Sequence, residues 1–161
     1  MRMNVCFIEK KSSGILFFVG IFLTCVLAVS LTGCTNDDSY IPDTPVYIER
    51  NINNYKLYTT GSYLYIDEKN IDKEWIGYGG VLIVRDFNDE FHAYDLSCTN
   101  ERSSKIRISE PNESLICTCE TCGEQYNLGW GFGEPLNGIS KRPLKQYNVT
   151  VNEYNYIIVT N

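Results

Sequence analysis

The sequence predicts an all-β fold, an antiparallel sandwich or barrel, for the part of the chain that follows residue 44. Short runs rich in valine, isoleucine and tyrosine alternate there with glycine, asparagine and aspartate, which is the pattern of short strands joined by turns. No stretch of ten residues after Cys34 has the apolar period of a helix. All 12 tyrosines also lie after Cys34, and aromatic side chains favour strands.

Ten segments carry this strand pattern. They are Val46–Glu49, Tyr55–Tyr58, Tyr63–Ile66, Gly80–Asp86, Glu90–Asp95, Lys105–Ile108, Ser114–Ile116, Gln125–Leu128, Tyr147–Val151 and Tyr156–Thr160. The short polar segments Phe87–Glu90 and Asn152–Asn155 predict tight hairpins between their flanking strands. Ile71–Gly80 is the longest irregular segment, and we expect it to cover one end of the sandwich.

The first 33 residues have the features of a secretory signal. Arg2 and two lysines precede the apolar run Ile15–Leu31. The run ends at Leu31-Thr-Gly-Cys34, which resembles the lipobox of bacterial lipoproteins. The resemblance implies cleavage before Cys34 and lipidation of its thiol, which would hold the protein on a membrane without spanning it. A transmembrane anchor is the alternative, because the run approaches the length that spans a bilayer.

Residues 34–44 form a polar tether, and residues 45–161 form the predicted β domain. The tether has too little apolar content to order itself. Its Asn36-Asp37-Asp38 resembles the acidic signal that sends some lipoproteins to the bacterial surface. We therefore expect the protein in the cell envelope, on the outer membrane or the cell surface.

The charge balance argues against nucleic acid as a partner. The chain has 14 lysine and arginine residues against 20 aspartate and glutamate residues, a net charge of −6. An acidic body repels phosphate backbones. The net negative charge mainly helps to keep an exported domain soluble.

Four of the seven cysteines lie in the β domain, three of them in two short boxes. The first box is Cys98-Thr-Asn100, and the second is Cys119-Glu-Thr-Cys122-Gly123, with Cys117 two residues before it. Clustered cysteines indicate a metal site or disulfides.

The two boxes resemble the Rieske family of iron–sulfur domains. That family has a Cys-x-His box followed by a Cys-x-x-His-Gly box, then an aromatic residue and a loop containing glycine and proline. Here Tyr126 falls at the aromatic position and Gly138-Ile139-Ser140 at the loop. Both histidine positions differ: Asn100 and Cys122 occupy them. The resemblance extends over residues 45–161 and implies a Rieske-like β domain.

In the Rieske family two cysteines hold one iron of a 2Fe-2S cluster and two histidines hold the other. The resemblance thus implies that Cys98 and Cys119 hold the first iron, with Asn100 and Cys122 at the positions of the second. An asparagine amide is a weak donor to iron, and a Cys122 thiolate would lower the potential relative to a neutral imidazole. The implied function is an electron-transfer module with an altered or lost cluster and an unidentified redox or binding partner.

Two other uses of the cysteines stay open. An exported protein meets an oxidising compartment, and the resemblance would place Cys98 and Cys119 close enough for a disulfide, with Cys117 and Cys122 as a second pair. The module would then be a metal-free, disulfide-stapled binding or structural domain. Alternatively, the four thiols could bind zinc or iron–sulfur together.

No independent catalytic constellation is present in the sequence. His92 is the only histidine, and its strand position predicts a solvated or hydrogen-bonded side chain rather than a ligand. No Gly-x-Ser-x-Gly nucleophile motif occurs. The sequence gives no ground for an enzyme acting alone.

Overall fold

The computed structural model describes residues 41–67 and 75–161, which contain ten strands and no helix. The all-β antiparallel fold is therefore confirmed. The predicted signal, Cys34 and most of the tether lie outside the described residues. The strands are β1 (Val46–Asn51), β2 (Tyr63–Ile66), β3 (Trp75–Ile76), β4 (Val81–Arg85), β5 (Phe91–Asp95), β6 (Ile116–Thr118), β7 (Gln125–Asn127), β8 (Glu134–Pro135), β9 (Gln146–Val151) and β10 (Tyr156–Thr160).

Seven strands form one antiparallel sheet in the order β2-β4-β5-β9-β10-β1-β3. Its two outermost strands contribute Ile66 and Ile76 to the same apolar core, so the sheet curls around that core into a barrel. We call this cluster the barrel core. The predicted hairpins β4–β5 and β9–β10 are present, and Asp89 and Asn155 take the positive φ values that tight turns require.

The remaining strands, β6, β7 and β8, form a separate three-stranded antiparallel sheet. This sheet packs over the outer face of β4 and β5. Leu82 and Val84 of β4 point into its core, whereas Val81 and Ile83 point into the barrel core. A strand buried on both faces explains the unbroken apolar run Val81–Val84, which shows no alternation.

Two predicted strands are wrong. Tyr55–Tyr58 forms turns, with Lys56 at φ 56° and the Leu57 amide bonded to the Ile52 carbonyl, because Leu57 folds inward to fill the barrel core. Lys105–Ile108 makes only isolated bridges, because it crosses between two loops instead of joining a ladder.

Two strands were missed because each has only two residues, β3 and β8, too few for a pattern. Trp75–Ile76 lies inside Ile71–Gly80, the segment predicted to be irregular, of which residues 71–74 are outside the described part. The predicted strand Ser114–Ile116 begins only at Ile116, since Leu115 takes a φ of 56°. Within the described ranges, no helix is long and apolar enough to cross a bilayer.

Candidate functional site

Three cysteine sulfurs converge at one end of the small sheet, and we call them the three-thiol site. The sulfurs of Cys98, Cys119 and Cys122 all lie within 4.8 Å of one another. The Sγ atoms of Cys98 and Cys122 are 3.6 Å apart. Cys98 and Cys119 are fully buried, and Cys122 is partly exposed, so the site opens to solvent on the side of Cys122.

The strands and one crossing segment position this site. Cys98 follows the end of β5, and Cys119 follows the end of β6. The crossing segment 105–109 links the two, with Arg107 bridged to Ser97 and Ile108 bridged to Cys119. The two cysteine loops are therefore fixed against each other by backbone pairing from a segment that belongs to neither.

The two loops have the same backbone design. In the first loop, Cys98–Arg102, the Arg102 amide donates to the Cys98 carbonyl at 2.9 Å. In the second loop, Cys119–Gly123, the Gly123 amide donates to the Cys119 carbonyl at 2.8 Å. Each loop ends in a left-handed residue, with φ 53° at Arg102 and 79° at Gly123. Each loop thus wraps one turn around its own leading cysteine.

This wrapping brings backbone amides to two of the sulfurs. The amides of Asn100 and Glu101 donate to the Cys98 sulfur, and those of Thr121 and Cys122 donate to the Cys119 sulfur. Hydrogen bonds to the charged form favour a thiolate. Each loop therefore supplies two backbone donors that favour a thiolate on its leading cysteine.

The two leading thiols nevertheless differ in acidity. Burial opposes ionisation of Cys98, but the Tyr126 hydroxyl and the amides of Glu101 and Asn100 outweigh it and hold the pKa of Cys98 below its usual value. Burial raises the pKa of Cys119 to about 12, against the opposing amide of Cys122. In the metal-free protein, Cys98 is the more acidic of the two.

A hydroxyl network joins the first loop to residues 137–140, which we call the covering loop. The Tyr126 hydroxyl lies 3.4 Å from Cys98 Sγ and 2.9 Å from Thr99 Oγ1. Thr99 Oγ1 lies 2.8 Å from Ser140 Oγ and donates to the Arg142 carbonyl at 3.0 Å. The covering loop is thereby tied to the immediate surroundings of Cys98.

Glu124 joins the second loop to the same covering loop. Its buried carboxylate accepts from the amides of Ser140 at 2.6 Å, Asn137 at 2.8 Å and Gln125 at 3.0 Å. Burial works against the charged form, but the amides of Ser140 and Asn137 prevail and lower the pKa of Glu124. The sequence analysis missed Glu124, because its partners are supplied by a loop that a single sequence does not place beside it.

The other two predicted site residues are Asn100 and Cys117. The Asn100 side chain donates to Glu101 Oε1 at 3.1 Å. Cys117 lies within β6 opposite Tyr126, fully buried, and burial raises its pKa to about 12. Its sulfur is not part of the group that brings the other three within 4.8 Å, so the described residues form no four-thiol cluster.

The four cysteines of the described ranges are all free thiols, and both predicted disulfides stay predictions. Asp86 Oδ2 accepts a hydrogen bond from His92 Nε2 at 3.2 Å, on the β4–β5 hairpin. It groups there with Asp86 and Glu90 and not with the sulfurs. His92 is therefore a hydrogen-bonded strand histidine, as the sequence indicated.

The ligand positions implied by the Rieske resemblance can be tested against this geometry. Cys98 and Cys119 lie close enough to share one metal atom. Cys122, however, lies beside Cys98 in the same group, and the Asn100 amide is engaged with Glu101. The described side chains thus bring the two implied ligands of the first iron together, and the pair implied for the second iron stays a prediction.

No known protein-family model matches this chain, and no curated protein matches it either. One similar solved structure is the protein assigned as the small subunit of an NADH-dependent nitrite reductase from Mycobacterium tuberculosis. It is 14% identical, with 74% of this chain and 97% of that chain covered and a TM-score of 0.43.

Two further similar structures come from carbazole 1,9a-dioxygenase systems. The ferredoxin from Nocardioides aromaticivorans IC177 is 20% identical, covering 72% of this chain and 96% of its own, with a TM-score of 0.41. A chain in the complex of reduced oxygenase and oxidized ferredoxin is 16% identical, covering 71% and 93%, with a TM-score of 0.45. All three TM-scores lie below 0.5.

Proposed function

We propose that this chain is an exported lipoprotein whose body is an altered Rieske-type electron-transfer module, with iron held by the three-thiol site. The observation that carries the proposal is the convergence of Cys98, Cys119 and Cys122 within 4.8 Å. Thiolates are the ligands that iron takes in electron-transfer sites. Three such ligands come from two distant loops that a crossing segment holds together. A buried cysteine with only a packing role does not need other sulfurs beside it.

The environment of the sulfurs supports a redox role for bound iron. Hydrogen bonds to ligand sulfurs tune the reduction potential of iron–sulfur sites. Cys98 receives two backbone amides and Cys119 two more. Cys122 is the partly exposed cysteine and marks the open side of the site. That side is where an electron would pass to the redox partner, which the chain does not identify.

The first test is the iron content and visible spectrum of the full chain, purified in detergent without exposure to oxygen. We expect thiolate-to-iron absorption in the unaltered chain and in Cys117→Ser, whose thiol lies outside the site. Cys98→Ser and Cys122→Ser should each lose most of the iron. A reduced, folded chain that takes up no iron would overturn the proposal.

A second test restores the two histidine positions of the Rieske pattern. Asn100→His with Cys122→His and Cys117→Ser places a histidine at each of the two positions where the Rieske pattern has one. We expect this variant to gain two irons and sulfide on reconstitution, since histidine ligands are what the second iron of that cluster uses. A correctly folded triple variant that binds no iron would show that the two boxes do not match the family pattern.

A metal-free disulfide module is the second candidate, and one distance favours it. Cys98 and Cys122 are already at 3.6 Å, so oxidation could join this pair as an alternative to the Cys98–Cys119 pair implied by the resemblance. A disulfide of this kind would stabilise the domain by about 2–4 kcal/mol. Reduction would then lower the unfolding midpoint and a chelator would leave it unchanged, which is the reverse of what an iron site predicts.

The anchoring part of the proposal rests on the Leu31–Cys34 lipobox resemblance. We expect Cys34→Ala to abolish incorporation of labelled fatty acid and to leave an uncleaved precursor or release a soluble form. Equal labelling of the variant and the unaltered chain would refute lipidation at Cys34.

A further inference from the structure

We infer that the three-thiol site, when it holds no metal, carries out thiol–disulfide exchange with an exposed disulfide bond of another molecule. Cys122 is the attacking sulfur, and Cys98 is the sulfur that resolves the mixed disulfide. The inference goes beyond the proposed function, because exchange needs neither iron nor the third sulfur. Since both activities use the same two sulfurs, bound iron and exchange exclude each other.

Cys122 is the described cysteine that a partner molecule can reach. The other three described cysteines are fully buried, whereas Cys122 is partly exposed. Its two neighbours in the chain, Thr121 and Gly123, are exposed, and a Cβ added at Gly123 would meet nothing within 4 Å. Because reactive cysteines must be accessible as well as ionisable, a disulfide from another molecule meets this site at Cys122.

Cys98 supplies the second sulfur. Its Sγ lies 3.6 Å from Cys122 Sγ. A disulfide bond measures about 2.05 Å, so the two sulfurs need to approach by only about 1.5 Å to join. The open space beside Gly123 gives the Cys122 side of the pair room for that movement. A partner held on Cys122 is therefore within reach of attack by Cys98.

The surroundings of Cys98 suit a sulfur that attacks and leaves as a thiolate. The Tyr126 hydroxyl lies 3.4 Å from its Sγ, and the backbone amides of Asn100 and Glu101 donate to the same sulfur. Such hydrogen bonds favour the charged form of the thiol. The thiolate is the form in which a cysteine attacks a disulfide and the form in which it leaves one. The same donors therefore assist the exchange in both directions.

The exchange has two steps, and two electrons pass from the cysteine pair to the partner disulfide. The Cys122 thiolate bonds to one partner sulfur, the partner S–S bond breaks, and the other partner sulfur leaves and takes up a proton. The Cys98 thiolate then attacks Cys122 Sγ, which closes the Cys98–Cys122 disulfide and releases the second partner thiol with a proton. The two protons gained by the partner equal the two that the cysteines give up. An external dithiol returns the pair to its reduced form by the same steps in reverse.

The experiment mixes the reduced, metal-free full chain in detergent with oxidised glutathione and follows the products by peptide mass spectrometry. We expect the β domain to lose two thiols and to gain a Cys98–Cys122 disulfide. Cys122→Ser should slow the reaction of the β domain at least about 10-fold, because its remaining thiols are buried. Cys98→Ser should accumulate glutathione on Cys122, because the resolving sulfur is missing.

The matched control is Cys117→Ser, which removes a buried thiol of β6 outside the group of three sulfurs and should leave the rate and the product unchanged. The unfolding midpoint of each reduced variant separates loss of a thiol from loss of the fold. If a folded Cys122→Ser reacts as fast as this control, the assigned attacking sulfur is wrong. If glutathione accumulates in Cys119→Ser and not in Cys98→Ser, the assigned resolving sulfur is wrong.

Cys119→Ser also separates this inference from the proposed function. The proposed iron site uses all three sulfurs, so this variant should lose most of its iron and still form the Cys98–Cys122 disulfide. Iron uptake by a reduced chain that does not react with oxidised glutathione would overturn the exchange and leave the iron site standing. Exchange by a reduced chain that takes up no iron would overturn the proposed function alone, and failure of both reactions would overturn both.

Discussion

The described part of this protein has two apolar cores, the barrel core inside the large sheet and the site core between β4–β5 and the small sheet. They differ in composition, because only the site core contains cysteines. The barrel core draws aliphatic side chains from all seven strands of the large sheet, among them Ile48, Ile83 and Ile157. The site core contains Cys98, Cys117 and Cys119 together with buried tyrosines. The two cores share β4 and β5 as a common wall.

The polar anchors of the two regions differ in a corresponding way. Asp95 closes one end of the barrel by accepting from three amides and the Tyr147 hydroxyl, all close to strand ends. Glu124 instead holds a loop across the site, through the amides of Asn137 and Ser140. The barrel is stable through packing, whereas the site depends on a few polar contacts and on the state of its thiols. The following predictions test that contrast, from the largest expected effect to the smallest.

The largest effect is expected from truncating one fully buried aliphatic residue in each core. Ile157→Ala in β10 should lower the free energy of unfolding by about 2–5 kcal/mol, because it leaves a cavity in the barrel. Leu128→Ala, equally buried under the site, should mainly increase local opening of the cysteine loops. Denaturant unfolding and amide hydrogen exchange measure the two quantities. Equal global losses with no local difference would show that the two cores unfold as one unit.

Glu124→Gln should open the site without unfolding the barrel. The neutral side chain loses a charge that three amides stabilise, which costs about 1.5–3 kcal/mol. Because the folded pKa of Glu124 is depressed, its stabilisation is present above the ordinary glutamate pKa and is lost as the pH falls below about 4.3. Exchange of the Ser140 amide, followed from pH 6 to pH 3, should show this loss only in the unaltered protein.

Gly123→Ala tests whether the second loop needs its left-handed turn. The added Cβ meets nothing within 4 Å, so the cost is the strain of φ 79°, about 1–2 kcal/mol. Gly138→Ala is the matched control, with φ 73° and equally open space. Both should lower stability to a similar extent, but only Gly123→Ala should weaken metal binding at the three-thiol site. Equal metal affinity in the two variants would show that metal binding does not depend on the left-handed turn at Gly123.

The smallest effect is expected at the barrel end. Burial, followed by the charge of Asp95, raises the pKa of Tyr147 above the ordinary value near 10. The stabilisation that the Tyr147 hydroxyl contributes is therefore complete below pH 10 and is lost as the pH rises above 10. Tyr147→Phe should lower the free energy of unfolding by about 1 kcal/mol at pH 7, since Asp95 keeps three amide donors. It should also make the free energy of unfolding fall less steeply above pH 10. An unchanged slope between pH 10 and pH 11 would contradict the assignment.

The strands and hairpins were largely predictable because their signals are local. Alternation and turn residues reveal β1, β5, β9 and β10 within a few positions along the chain. The errors arose where a tertiary contact decided the conformation. The β-like run Tyr55–Tyr58 turns inward at Leu57 to complete the barrel core, and a two-residue strand such as β3 exists only because its partner β1 is beside it.

The cysteine boxes were visible in the sequence, but the selection among their sulfurs was not. Cys117 and Cys119 are two residues apart and both buried, so strand alternation does not distinguish them. The structure separates them because Cys117 stays inside the β6 ladder, whereas Cys119 begins the loop that faces Cys98. Spacing alone also could not show that Asn100 turns to Glu101.

By itself, the sequence determined an all-β chain with hairpins at two known places and two cysteine boxes in order. Only the tertiary structure decided that Cys98 and Cys122, separated by 24 positions, meet at 3.6 Å, and that Glu124 reaches Ser140, 16 positions away. The physical reason is that periodicity reports which face of a strand a side chain occupies. It carries no information on which distant loop will supply the hydrogen-bond donor or the second sulfur at that face.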